Sequence, residues 1–254
     1  MAKRNVHLLV IDPQQDFMDT AGAALPVPGA VADMRRLAKL IRRMGTKLSA
    51  IHVTLDTHHV IDIAHPGLWR GPDGKPPAPF TIIADEDIRA GIWRPRAARS
   101  KPAELGGMTL GAHVLAYAEE LSRRGNYPLM IWPEHCVIGT PGHAMQPDFA
   151  KALHGWEHKT GTNADIVLKG LNPFTEHYGA LMAEVPLASD PASALDTGLL
   201  ARLARADVIA VAGEALSHCV KATVTQIVDN IGPEHVRKLH ILTDCTSPVR
   251  PNTT

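Results

Sequence analysis

Residues 6–13 read VHLLVIDP, a run that is apolar except for His7 and stops at an acid and a proline. A continuous apolar stretch this short predicts a strand buried on both faces, as in a parallel sheet, followed by a loop that begins with a carboxylate. The pattern repeats outward from it. Val31, Met34, Leu37, Ala38 and Ile41 fall at helical spacing and Gly45 stops the helix. Leu48 to Leu55 then predicts a second strand, again ending on an acid, Asp56. Shorter apolar runs at Leu129 to Trp132, Ile166 to Leu168, Val208 to Ala212 and His240 to Thr243 predict further strands, with helices at Ala194 to Ala206 and Ser217 to Val228. Strands alternating with helices indicate an α/β fold with a mostly parallel sheet of about six strands flanked by helices in three layers. Ligands of such sheets bind outside the carboxyl ends of the strands. Those ends carry Asp12, Asp56, the Trp132–Cys136 segment, Lys169, Glu214–Cys219 and Asp244.

Composition narrows the class. The chain has 254 residues, 45% hydrophobic and 20% charged, which is enough to bury a sizeable core. Lys and Arg total 26 against 26 Asp and Glu, so no basic excess points to nucleic acid or a membrane surface. No apolar run approaches the ~18 residues of a membrane span. Lys3 and Arg4 before Val6–Ile11 do not make a signal peptide, because the apolar stretch is short and carries His7. Three cysteines are too few for a disulfide framework, and a reducing cytoplasm is the expected compartment. Seven of the 20 prolines lie between Pro66 and Pro102. That density predicts an elaborate loop or lid with a short helix near His113 to Arg123, an insertion at about 66–128 in a single domain spanning 1–254. Arg94, Arg96, Arg99 and Lys101 in it could grip phosphate, but read better as a solvated loop.

Two constellations carry chemistry. In Asp56-Thr57-His58, alternate residues after a strand project to one side, so the carboxylate and imidazole can converge on one ion. His135, in Trp132-Pro133-Glu134-His135-Cys136, supplies a third ligand, making a carboxylate and two-His set with open positions; His59 and His65 are nearby alternatives. Such donors accept zinc, manganese or iron. The second constellation is Gly213-Glu214-Ala215-Leu216-Ser217-His218-Cys219, a strand, a turn and a cysteine at a helix start, where a thiolate and an oxyanion are both stabilised. Cys136 and Cys245 read as buried, inert thiols. His218 adjoins Cys219 but points elsewhere at a helix start, so Asp12 and Lys169 are better placed as proton acceptor and cation. No G-x-S-x-G, H-E-x-x-H, Walker A or G-x-G-x-x-G is present in the sequence.

In LLVIDPQQDFMD, VTLDTHH, WPEHCVIGTPG, VLKGLNPFTEHYGA and GEALSHCVKAT, taken in order, the chain resembles the nicotinamidase branch of the isochorismatase-like cysteine hydrolases. The resemblance implies a catalytic Asp12, Lys169 and Cys219, an oxyanion hole from the Ala215 and Cys219 amides, and a non-proline cis peptide at Glu214–Ala215. It implies a divalent metal, zinc first, on Asp56, His58 and His135, with the ring nitrogen of a flat substrate at its open position. Phe17, Trp132 and Tyr178 would contact that ring. The implied partner is a small-molecule amide, with neither nucleic acid nor membrane, and the protein is expected to be a homo-oligomer. The implied activity is hydrolysis of nicotinamide to nicotinate and ammonia through a Cys thioester. Alternatives are the same chemistry on another amide or ureido compound, a silent metal- or ligand-binding scaffold, or a metal-only hydrolase with Cys219 as bystander. Departures from the family pattern are HVIDIAHPGLW after Asp-x-His and the long insertion before WPEHC.

Overall fold

The computed structural model describes residues 4–249. Its centre is a five-stranded, wholly parallel sheet. The strands and helices in chain order are β1 (Val6–Ile11), α1 (Ala30–Met44), β2 (Leu48–Asp56), β3 (Trp69–Arg70), β4 (Ile82–Ile83), α2 (Asp85–Arg89), β5 (Arg94–Pro95), α3 (Leu110–Arg124), β6 (Leu129–Met130), α4 (Pro147–Thr160), β7 (Asp165–Lys169), α5 (Thr197–Ala204), β8 (Val208–Gly213), α6 (Lys221–Asn230), α7 (Pro233–Val236) and β9 (Leu239–Ile241). The sheet order is β7-β2-β1-β8-β9. The expected α/β sheet is present with five strands rather than six. Leu129–Met130, expected as a main-sheet strand, instead pairs antiparallel with Ile82–Ile83 in a separate two-stranded sheet. An apolar run reports burial, not which sheet it joins.

The order positions the site. From the middle strand β1 the chain builds outward through β2 and β7, then returns to add β8 and β9 on the other side. The reversal falls between β1 and β8, where open α/β sheets form their binding crevice. Leu8, Leu9, Val10 and Ile11 are fully buried, as a strand covered on both faces requires. Register then sets neighbours: Ile11 pairs with Gly213, and Asp56 pairs with Lys169.

Helix α1 buries Met34, Leu37, Ala38 and Ile41 of the predicted stripe, with Val31 only partly buried and Ala30 buried beside it, and ends at Gly45. It packs beside α4, whose Phe149, Ala152, Leu153 and Trp156 are buried and whose first turn is capped by the Gln146 side chain. The helix expected near His113 to Arg123 is longer than foreseen, running Leu110–Arg124 with a Thr109 cap. Its Tyr117 hydroxyl accepts the Glu176 N–H at 3.1 Å, which ties the inserted segment to the loop after β7. No helix among the described residues is long and apolar enough to cross a membrane.

Candidate active site

Three side chains meet where β1, β7 and the turn after β8 end. Asp12 follows β1 directly and has φ 43, a left-handed conformation costly for a residue with a Cβ and typical of functional positions. Its N–H donates to Thr54 O at 3.1 Å, and the Thr54 hydroxyl donates back to Asp12 Oδ1 at 2.6 Å. Lys169, the last residue of β7, places Nζ 3.0 Å from Asp12 Oδ2, 2.9 Å from Asp56 Oδ1 and 3.6 Å from Cys219 Sγ. Nζ also donates to His177 O at 2.9 Å, so the ammonium is fully engaged.

Cys219 lies in a π-helical turn, Leu216–Val220, that leads into α6. Such turns recur at functional sites. The turn is anchored by His218 and Val220 N–H groups donating to Ala215 O at 3.0 and 3.2 Å. The Glu214–Ala215 peptide is cis, as the resemblance implied. Before it stands Gly213, φ 114, where a Cβ would sit 2.0 Å from Ile11 O; only glycine allows β8 to approach β1 this closely. His218 turns its ring onto Tyr127 and Trp132, each at 5.4 Å, and its Nδ1 meets Ser217 Oγ at 2.9 Å.

The charges balance unevenly. Burial works to discharge Lys169, but Asp12, Asp56 and Cys219 around it outweigh burial and hold its pKa well above the usual value. Burial raises Asp12, and Lys169 opposes it. The Cys219 thiol is pushed well up by burial and by the Asp12 and Asp56 carboxylates, with Lys169 alone pulling it down. Lys169 is thus the neighbour that favours the thiolate, as the sequence reading expects.

Beside this trio is a cluster of imidazoles. His58, His65 and His135 each bring one ring nitrogen within 4.8 Å of the others. Asp56 Oδ2 lies 3.1 Å from His58 Nε2 and 3.2 Å from His135 Nε2, so the sequence-derived trio comes together and His65 joins it. His59 contributes only its carbonyl, which His65 Nδ1 meets at 3.2 Å. His58 Nδ1 meets Asp62 Oδ2 at 3.1 Å, and His135 Nδ1 meets Pro133 O at 2.8 Å. Each outer nitrogen is thus held by an oxygen, which orients the other nitrogen inward as metal-binding histidines require. Burial, then His58 and His135, pushes His65 down to about 3, and its Nε2 lies 3.3 Å from His135 Nδ1. Burial works to lower the His58 pKa, but the Asp56 and Asp62 carboxylates outweigh it and raise it well above the ordinary value. One carboxylate and three imidazoles fit a divalent transition metal.

The pocket above these groups is walled by Phe17, Leu25, Val27, Trp132, Tyr178, Ala215, Cys219 and Val249, with Glu176 and His177 on one side. Trp132 Nε1 donates to the Tyr178 hydroxyl at 3.1 Å, and the Phe17 ring lies edge-on to His135 at 5.6 Å. The three rings named from the sequence therefore line one small, mostly apolar cavity that Cys219 and Asp56 reach.

Sequence reasoning did not find Asp62, Gln14, Glu176 or Thr54. Gln14 clamps the Asp56 peptide from both sides, donating to Asp56 O and accepting from Asp56 N, each at 2.7 Å. A glutamine two residues past a strand-end acid was the available signal. Asp62 lies four residues past His58 in an irregular loop and carries none.

No family model matches the chain, and no curated protein sequence does. Solved structures do. The yeast nicotinamidase superimposes with a TM-score of 0.63 at 20% identity, covering 98% of this chain and 90% of that one. A nicotinamidase/pyrazinamidase from Acinetobacter baumanii gives 0.60 at 20% identity, covering 98% and 87%. A pyrazinamidase of Pyrococcus horikoshii, solved in complex with zinc, gives 0.52 at 20% identity, covering 97% and 88%. The chain has the fold of these amidases over essentially its whole described length.

Proposed function

We propose that this chain is a metal-dependent cysteine amidohydrolase that cleaves the C–N bond of a small flat carboxamide, nicotinamide first. The observation that carries the reading is the convergence of Asp12, Lys169 and Cys219 within one aromatic-walled pocket that also opens onto the Asp56–His cluster. The fold shared with nicotinamidases supports it.

Asp56, His58, His65 and His135 would hold the ion, zinc first with manganese or iron as alternatives, and when bound it supplies a Lewis acid suited to a ring nitrogen. The remaining chemistry belongs to the chain. Cys219 Sγ attacks the carboxamide carbon while its proton passes to Asp12, whose raised pKa suits a proton acceptor at neutral pH. Attack coupled to proton transfer avoids isolating a thiolate that burial disfavours. The Ala215 and Cys219 amides hold the developing oxyanion; one such donor is worth ~10²–10³ in rate. Asp12 returns the proton to nitrogen and ammonia departs. Water, deprotonated by Asp12, then cleaves the thioester and regenerates the thiol. Lys169 keeps Asp12 oriented and offsets the negative charge that forms on sulfur.

A second reading has one observation in its favour. Glu176 is buried at the pocket wall, and its Oε2 has no hydrogen-bond partner among the described residues. An amide or ureido substrate with an additional polar hydrogen-bonding group would satisfy it.

Ammonia release from nicotinamide and a panel of aliphatic, heterocyclic and ureido amides tests both. Release from nicotinamide that iodoacetamide and Cys219→Ala each abolish is the expected result. Turnover by Cys219→Ala would end the thioester reading, and a clear preference for a ureido compound would select the second.

A further inference from the structure

The residue before Ala215 carries a carboxyl group that the chemistry above does not use. Glu214 is fully buried, and its N–H donates to Ile11 O at 2.9 Å. Its Oε2 accepts the Ser247 N–H at 3.2 Å, while Oε1 has no N–H or O–H partner among the described residues. Asp33, on the buried side of α1, converges on the same Ser247. Asp33 accepts the Ser247 hydroxyl at 2.6 Å and also pairs with Arg36. Two buried carboxyl groups gathered on one serine cannot both ionise cheaply, and a single proton shared between them would convert repulsion into a hydrogen bond.

The pair sits at a junction. Residues 246–249 form a strap over the turn that carries the proposed oxyanion donors. Leu216 N–H donates to Ser247 O at 2.9 Å, and Val249 N–H donates to Ser217 Oγ at 3.1 Å. Gly29 at the start of α1 leaves room for Ser247, since a Cβ there would lie 2.8 Å from its Oγ. Val249, at the end of the strap, forms part of the pocket wall. Glu214 thereby connects α1, the strap and the peptide next to Ala215.

We propose that Glu214 is a positioning residue that, in its protonated form, bonds Asp33 and clamps the 246–249 strap against the Ala215–Cys219 turn, so that its ionisation loosens the oxyanion donors and the Val249 wall. The kinetic half of this rests on the amidohydrolase reading. The charged groups acting on Glu214 are Asp33 on α1, itself paired with Arg36, and Asp19 in the loop after β1. Burial, then Asp33, pushes Glu214 up to about 9, with the Ser247 N–H opposing. The competent form therefore exists below that pH and is lost above it.

The test measures kcat and KM for ammonia release across neutral to alkaline pH in the wild type, Glu214→Gln, Glu214→Leu and Asp33→Asn, with infrared spectra of the carboxyl region. Glutamine donates to Asp33 and accepts from Ser247 at every pH. Glu214→Gln is therefore expected to hold kcat within about threefold of wild type at neutral pH and to lose a tenfold-per-unit alkaline fall that the wild type shows. Glu214→Leu loses about 10²-fold in kcat with KM moving less, because misplacing catalytic donors by about 1 Å costs that much. A protonated-carboxyl band present in the wild type is missing in the Glu214→Gln difference spectrum. If Glu214→Leu does not fold, Asp33→Asn decides: its amide donates to ionised Glu214, so it too removes the alkaline fall. An alkaline fall unchanged in both amide variants, or a difference spectrum with no lost band, overturns the proposal. A wild type that hydrolyses no amide refutes the amidohydrolase reading instead, and the infrared comparison still decides where the proton is.

Discussion

Replacing Lys169 with methionine removes one charge from the centre of the site and little volume. Its ammonium is 3.0 Å from Asp12 Oδ2 and 2.9 Å from Asp56 Oδ1, and the residue is 2% exposed. At an effective dielectric of about 20, each contact is worth roughly 5–6 kcal/mol of Coulomb attraction. Desolvation of the three buried charges offsets most of that sum. What remains when one partner is deleted is the cost of uncompensated buried charge, about 3–5 kcal/mol. Against a total stability of roughly 5–15 kcal/mol this is a large fraction, and it corresponds to a melting temperature lower by roughly 6–20 °C.

The sign with pH is a sharper check. Without the ammonium, Asp12, already raised by burial, rises further above its unfolded pKa, and Asp56 loses one of the two charges that hold it down. A carboxyl raised in this way contributes most at pH below the unfolded value, near 4, and progressively destabilises as pH rises through the folded value. The deficit of Lys169→Met relative to wild type is therefore largest at neutral pH and shrinks toward pH ~5. Urea denaturation followed by circular dichroism on metal-free protein measures it. A variant within about 1 kcal/mol of wild type at pH 7, or a deficit that does not narrow on acidification, refutes the electrostatic account of the trio.

Other consequences can be checked separately. Asp62→Ala removes the oxygen that orients His58, and divalent metal affinity, read by competition with a chromogenic chelator, is expected to fall about 10–100-fold; unchanged affinity would remove Asp62 from the metal site. Gly213→Ala forces a methyl against Ile11 O with φ 114, and a loss of about 3 kcal/mol or more, or insoluble protein, is expected. His7 is buried, 3.0 Å from His52, and burial, then His52, pushes it down to about 4. A histidine held neutral stabilises above its unfolded pKa near 6.5 and loses that contribution as pH falls toward 4. The unfolding free energy from urea titration should decline across that window by at most about 3 kcal/mol, and His7→Leu should flatten the decline.

The parts of the fold visible in the sequence were those set by local periodicity. VHLLVI and the α1 stripe fall where their patterns put them, because a buried strand and an amphipathic helix each write their burial into consecutive residues. Asp-x-His was legible for a related reason. Strand β2 ends at Asp56, yet His58 forms one further parallel bridge with Val137, its N–H donating to Cys136 O at 3.1 Å. Alternation therefore persists one step beyond the strand, and the same bridge draws His135 alongside. His65 could be named only as an alternative, because it follows an irregular loop where spacing carries no direction. Helix α4 went unread although Phe149, Ala152, Leu153 and Trp156 show helical spacing after a proline suited to a first turn. Asp33 interrupts the apolar stripe of α1, a sign of a buried polar partner, but its partners Glu214 and Ser247 lie some two hundred residues away and only the folded sheet brings them together.

Asp56 explains why the two constellations occupy one pocket rather than two. Its Oδ1 faces the Lys169 ammonium and its Oδ2 faces His58 and His135. One carboxylate is thus shared between the group that orients the proton acceptor and the group that gathers imidazoles. Burial acts to protonate Asp56, but His58 and Lys169 reverse that and hold it ionised. Each neighbour would be weaker alone, since a single buried ion pair barely repays its desolvation, whereas a carboxylate satisfied on both oxygens does so with its lone pairs filled. The Gln14 clamp fixes the backbone of that residue and so the direction of both oxygens. A change that tilts Asp56 must disturb Lys169 and the histidine cluster together. This is why Asp56 lies at a register position, paired with Lys169 across β2 and β7, rather than in a loop free to adjust.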